Sequence, residues 1–154
     1  MKAVFRVSTF VLATMVLGGL AGAPADAQDS GAVAAFGYNY YGQCNIPSPN
    51  HGFVAVAGGG LHSLGLKSDG SIVAWGSNDG PYGYYAGQCD VPSPNTGYVA
   101  VAAGVYHSLG LKSDGSIVAW GWNAYGQCNV PGPNDGYVAV SAGAEHSQIG
   151  RAHV

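Results

Sequence analysis

Residues 97–121 read GYVAVAAGVYHSLGLKSDGSIVAWG and residues 52–76 read GFVAVAGGGLHSLGLKSDGSIVAWG, so one long string occurs twice with few changes. A self-copy of this kind settles the architecture as a repeat before any single residue is interpreted. Working outward, a third unit shares the same markers. Cys44, Cys89 and Cys128 are spaced by 45 and 39 residues, as are His62, His107 and His146, and each His follows its Cys by 18. The underlying period is 39. The longer interval arises because the stretch between Trp75 and Cys89 is six residues longer than that between Trp120 and Cys128, an insertion that falls in a loop.

Within the unit, residues 98–103, 107–112 and 116–120 read as three short strands, rich in Val, Ile and aromatics and bounded by glycine. Ser113, Asp114 and Gly115 supply the tight turn between the second and third. Alternation along the first strand puts Val99, Val101 and Ala103 on one side and Tyr98, Ala100 and Ala102 on the other, so both faces are apolar. A three-stranded sheet cannot cover both faces alone. The units must therefore stack face to face as blades, and the predicted fold class is all-β, a partial β-propeller of about three three-stranded blades.

Composition agrees and excludes several functions. With 26 glycines, 8 prolines and only 8% charged residues, the chain is no coiled coil or helical bundle, and 47% hydrophobic content is too high for a disordered tail. Five Lys plus Arg against eight Asp plus Glu leave no basic stripe for a phosphate backbone, so nucleic acid is not an expected partner.

Residues 1–27 carry Lys2 and Arg6, an apolar run from Val7 to Leu20 and a small-x-small site at Ala25, Asp26 and Ala27, the pattern of a secretory signal peptide. The run is shorter than the roughly 20 residues that span a bilayer. Residues 28–154 are then the repeat domain, exported to the cell surface, the periplasm or the medium, with three basic against seven acidic residues and no membrane span after cleavage.

The string VAWGWNAYGQCNVP followed by YVAVSAGAEHS resembles the repeats of the regulator of chromosome condensation (RCC1) family, in the short bacterial form that includes a secreted β-lactamase inhibitor protein. The resemblance covers residues 29–147. It implies a propeller of about seven blades, and in that inhibitor a loop face rich in aromatics grips the partner protein. Against that pattern this chain holds a terminal strand (31–36), two full units and a third that stops matching after Ser147. DSGAVAAFG aligns with SDGSIVAWG, so the chain enters at the third strand of a blade, while QIGRAHV stands where LGLKSDGSIVAWG is expected. This reads as a truncated or frame-shifted product, or as a short protein whose copies associate through open blade edges.

The repeated polar residues read first as structural. Three cysteines in one slot of successive repeats would lie about 10 Å apart on stacked sheets, too far to bridge, so free thiols acting as small buried hydrophobes are expected. Each His is expected to pack at a strand start with its ring nitrogens bonded to backbone. Asp69 and Asp114 are turn residues. No catalytic, metal or cofactor constellation appears, and the chain reads as a non-enzyme. The loops between the first two strands and after the third emerge at the same end. That rim gathers Tyr38, Tyr40, Tyr41, Tyr82, Tyr84, Tyr85, Tyr106, Trp122 and Tyr125. Of these, Tyr40, Tyr82, Tyr84, Tyr85, Tyr106, Trp122 and Tyr125 are the candidate partner-binding residues, since Tyr and Trp among Gly, Ser and Asn make a rigid, adaptable recognition surface. The expected function is an exported protein-binding module of unknown partner. A carbohydrate-binding or cell-surface module is the alternative, because the same rings stack on sugars, and a fragment of a longer propeller without its own function is the third reading.

Overall fold

The computed structural model describes residues 31–152; the expected signal peptide lies outside the described residues. Two three-stranded antiparallel sheets and one two-stranded sheet follow in chain order, with no α-helix among the described residues. The first sheet is β1 (Phe53–Gly58), β2 (His62–Lys67) and β3 (Ile72–Gly76), and the second is β4 (Tyr98–Ala103), β5 (His107–Lys112) and β6 (Ile117–Gly121). The third is β7 (Tyr137–Ala142) and β8 (Ser147–Arg151).

The sheets stack as the repeat requires: β4 lies against β1 and β2, and β7 lies against β4 and β5. Leu64, Leu66, Ile72, Tyr98 and Trp120 fill the first layer between sheets, and Leu109, Leu111, Ile117, Ala102 and Tyr137 fill the second. Backbone bonds join successive sheets at the Asp-Gly turns, where Tyr98 N donates to Gly70 O (2.9 Å) and Tyr137 N to Gly115 O (3.0 Å). An asparagine reaches across each junction to grip the third strand of the sheet before it. Asn95 bonds both backbone groups of Ile72, and Asn134 those of Ile117, all at 2.8 Å.

The first strands depart from expectation. Each skips one residue of its ladder, between Phe53 and Ala55, Tyr98 and Ala100, and Tyr137 and Ala139. The skipped Val54, Val99 and Val138 are about half exposed, and the bulge changes which residues share a face: Tyr98 joins Val101 and Ala103 in the first layer while Ala100 and Ala102 face the second, so β4 is covered on both sides as expected, with Val99 left out. Glycine at the centre of β2 and β5 has a steric cause. A Cβ on Gly110 would stand 2.5 Å from Tyr98 Cε1, and one on Gly65 would stand 2.3 Å from the Phe53 ring. The substitution Gly110→Val is expected to cost about 1–3 kcal/mol by overpacking, read as a lowered melting temperature.

Both ends differ from the sequence-based expectation. Residues 31–36 form no strand, since no second strand pairs with them among the described residues, yet they occupy the third-strand place: Phe53 N donates to Gly31 O (2.9 Å) and Asn50 grips Val33 at 2.8 Å both ways. The third unit does not stop at Ser147. QIGR completes β8, pairing Arg151 with Tyr137 and Gly150 with Ala139. Arg151 takes over the part of Lys67 and Lys112, each of which lays its charge over the ring that opens its sheet, on Tyr137, Phe53 and Tyr98 respectively.

Candidate interaction surface

The loops that leave β3 and β6 are closed by a repeated asparagine. Asn78 Oδ1 accepts from Cys89 N (2.6 Å) and Asn123 Oδ1 from Cys128 N (2.8 Å), with Asn39 and Cys44 matching them at 2.8 Å. The other side of the amide donates to residue 45, 90 or 129, so each loop is clamped twice. The glutamine of each Gly-Gln-Cys is buried. Gln43 and Gln127 accept from the backbone N–H two residues earlier, but in the longer loop Gln88 donates instead to Asp79 O at 2.9 Å.

All three thiols are free, as the spacing implies. They are not buried hydrophobes, however. Each is half-buried within its loop and donates to a backbone carbonyl, of Tyr38, Ser77 or Trp122, at 3.5–3.6 Å. Burial pushes the Cys89 and Cys128 thiols up to about 11, with Asp90 adding to the effect at Cys89, so both stay protonated and weakly nucleophilic at neutral pH.

The histidines also differ from expectation. His62 and His107 are fully buried, and their Nε2 atoms meet not backbone but the hydroxyl of the next unit, Ser108 at 2.8 Å and Ser147 at 3.1 Å. Ser108 Oγ donates its own proton to Gln88 O (2.9 Å) and Ser147 Oγ donates to Gln127 O (2.7 Å), so each hydroxyl must accept from a protonated Nε2. Nδ1 is then unprotonated and without a partner in both rings. Desolvation, reinforced by the neighbouring His107, holds His62 down to about 4; His107 is lowered by the same causes, with His146 as its neighbour. The signal for this relay was the His-Ser pair repeated at 62, 107 and 146.

At the loop end the predicted residues divide into three groups. Tyr38, Tyr40 and Tyr41 pack on one another, with centroids 5.0–6.4 Å apart, and Tyr40 is exposed while Tyr41 is half-buried. Tyr82, Tyr84 and Tyr85 stand out from the inserted loop and are all exposed, Tyr82 at 97%. Tyr125 is exposed, whereas Tyr106 and Trp122 are half-buried. Trp122 lies beside the base of the inserted loop, where a Cβ on Gly80 would be 3.4 Å from its Cε3.

The inserted loop is built rather than slack. Asp79 and Tyr85 pair as an isolated bridge, Pro81–Gly83 makes one 3-10 turn, and Gly80 N donates to Tyr84 O (2.6 Å). The Tyr85 hydroxyl donates to Asp90, which raises its pKa, and Asn78 Nδ2 also reaches that hydroxyl at 3.3 Å. Tyr82 adopts φ 60° and ψ 20°, alone among the non-glycine described residues in having positive φ. Such a left-handed conformation costs a side-chain-bearing residue energy and is held by its surroundings. One large exposed ring escaped the sequence reading: Phe36, at 94%, aligns in the repeat with Trp75 and Trp120, which are buried.

Comparison with known proteins agrees with this geometry. The family model described as regulator of chromosome condensation (RCC1) repeat matches residues 53–83 and 98–127. These two stretches are RCC1-type repeats, and the fold is that of the RCC1-like propellers. No curated protein matches it in sequence. Among solved structures it is similar to yeast RCC1 (Prp20) in a complex with Kap60, at 20% identity and TM-score 0.61 over 79% of this chain and 38% of that one. It is also similar to the CRINKLY WD40 ectodomain of the Arabidopsis thaliana receptor kinase ACR4, at 25% identity and TM-score 0.58 over 75% and 38%. Human WBSCR16 matches at 18% identity and TM-score 0.57 over 81% and 41%. The chain thus spans 38–41% of the length of these proteins.

Proposed function

We propose that this protein of RCC1-type repeats is an exported, non-enzymatic recognition module that binds a protein through the loop end of its sheets. The observation that carries the reading is the inserted loop, which holds Tyr82, Tyr84 and Tyr85 exposed on a closed, hydrogen-bonded frame. Rings on a preorganised frame lose little conformational freedom on binding, and Tyr and Trp dominate the energy of protein interfaces. Tyr40 and Tyr125 extend the same rim, and Trp122 and Tyr106 support it from below. The structure of yeast RCC1 with Kap60 bound is a case of a similar fold engaging a protein.

The test is capture from the native secretome on the immobilised full chain, followed by affinity measurement on the captured protein. The double variant Tyr82→Ala with Tyr84→Ala is expected to weaken binding at least about tenfold, with an unchanged melting temperature because both rings are exposed. Equal affinity of the variant would overturn the reading. Binding on a glycan array that is lost in Trp122→Ala would replace it with the carbohydrate-binding reading.

A further inference from the structure

The two ends of the sheets carry different charge. Lys67, Lys112 and Arg151, the lysines and arginines among the described residues, all close a second strand at the end where the Asp-Gly turns lie. Each is already used. The charged groups stand 3.7, 4.0 and 4.5 Å from the centroids of the Phe53, Tyr98 and Tyr137 rings, and they donate to Pro49 O, Pro94 O and Pro133 O respectively. Asp69, Asp114 and Asp135 balance them at that end. The opposite end, which bears the exposed tyrosines, holds Asp79, Asp90 and Glu145 and no lysine or arginine among the described residues.

Resting on the reading that the inserted loop binds a protein, we infer that this loop receives a cationic side chain, arginine or lysine, from a basic segment of that partner. The cation is held over the tyrosine rings and against Asp79 and Asp90.

The carboxylate at position 90 is not required by the loop that contains it. In the two sister loops the clamping asparagine donates to another asparagine, Asn39 to Asn45 and Asn123 to Asn129, both at 2.8 Å. Asn78 donates in the same way to Asp90 at 2.9 Å. A neutral acceptor thus serves the clamp, and a charge replaces it in the one loop that also carries three added tyrosines. The second oxygen of Asp90 accepts from the Tyr85 hydroxyl, which fixes that charge beside the rings.

Nothing within the chain answers the charge. Asp79 accepts from Ser77 Oγ at 2.9 Å, and Asp90 accepts from an amide and a phenol, all neutral donors. The one Lys or Arg ion pair among the described residues, Arg151 with Asp135 at 4.0 Å, is at the other end. A further negative pole lies in the base of the loop. Gln43 and Gln127 use Oε1 to accept a backbone N–H, whereas Gln88 spends Nε2 on Asp79 O and leaves Oε1 buried without a partner.

The rings add to this field, because the face of an aromatic ring is its negative side and attracts cations. Tyr82, Tyr84 and Tyr85 are exposed, so their faces are open to a partner. Arginine suits the combination, since its planar group stacks on a ring while its N–H edge bonds a carboxylate. A neutral or acidic partner surface would instead strip water from two carboxylates and return nothing.

The test titrates the full chain with fluorescent peptides of alternating glycine and arginine, against peptides carrying citrulline, an uncharged isostere of arginine. The arginine peptide is expected to bind at least about tenfold tighter at low salt, and the difference to vanish near about 1 M salt, where the screening length is about 3 Å. Asp79→Asn with Asp90→Asn is expected to remove most of the difference at an unchanged melting temperature, since asparagine accepts equally well in the sister clamps. Tyr82→Ala with Tyr84→Ala should lower arginine-peptide affinity by about threefold or more. Asp69→Asn with Asp114→Asn makes the same change of net charge at the turn end and is expected to leave binding unaltered. Equal affinity for both peptides, binding of neither, equal loss with both aspartate pairs, or indifference to the tyrosines would each overturn the inference. The protein captured from the secretome separates this failure from that of the recognition surface. If its binding needs Tyr82 and Tyr84 but ignores Asp79→Asn with Asp90→Asn, the surface stands and the cationic partner falls; if it ignores the tyrosines, the surface itself falls.

Discussion

Lowering the pH from 7 to 4 is expected to remove about 3 kcal/mol of folding stability through His62 alone, a loss that surface ion pairs in this lightly charged chain cannot mimic. In the unfolded chain the imidazole takes a proton near 6.5; in the fold, burial between sheets and the facing His107 hold that event down to about 4. The unfolded state therefore binds more protons across this window, and stability rises with pH through it. The contribution is fully present above 6.5 and is lost as the pH falls towards 4. His107 acts in the same direction. Asp69 and Asp114 act lower. Hydrogen bonds from Ser71 and Ser116 depress their carboxyls, so their share is present above the ordinary carboxylate value and lost only as the pH falls below it. Urea unfolding at pH 7, 5.5 and 4 follows the histidine window, and a further point near pH 2.5 reaches the carboxylate one. His62→Phe should flatten the upper one, and a wild-type midpoint that does not move between 7 and 4 would contradict the buried relay.

Replacing Trp120 by alanine is expected to cost about 3–5 kcal/mol, a large share of the stability of a small stack of sheets. Trp120 belongs to the second sheet but packs among Leu64, Leu66 and Ile72 of the first, so the loss falls on the junction rather than within one sheet. Trp120→Phe divides the effect. It keeps most of the ring and removes only the indole N–H donated to Gln88 O, a carbonyl that still accepts from Ser108 Oγ. A cost of about 1–2 kcal/mol is therefore expected for the phenylalanine variant, from the lost bond and volume together. Thermal melts of the two variants, followed at the same pH, check both values. If Trp120→Ala melted like the unaltered chain, the stacking of sheets could not be the main source of stability.

Much of this was written in the repeat. Identical strings produced identical sheets: β2 and β5 share a sequence and a pairing register, and the Asp-Gly turns and loop clamps recur at the spacing the sequence displays. What the string could not show is who stands next to whom. The His-Ser pairs are visible in the chain, but that Ser108 serves His62, 46 residues earlier, is decided by which sheet lands against which. The half-exposed valines of β1, β4 and β7 were misread because alternation describes an isolated strand, and a bulge breaks alternation at a place no residue type announces.

The candidate rim divides in the same way. The expectation that the tyrosines gather at one end rests on strand count and direction alone. That Tyr82 is held upright with positive φ while Trp122 lies against the loop base depends on how 13 residues close on Asn78, Asp79 and Tyr85. The sequence by itself determined the sheet order, the period, the turns and the positions of the free thiols, since these depend on local conformational preference and on copies folding alike. Only the tertiary structure decided which hydroxyl meets each histidine and why Phe36 is bare where Trp75 and Trp120 are covered, and that QIGR is a strand. Those outcomes depend on neighbours distant in the chain, and a side chain is buried only when the sheet beside it is there to cover it.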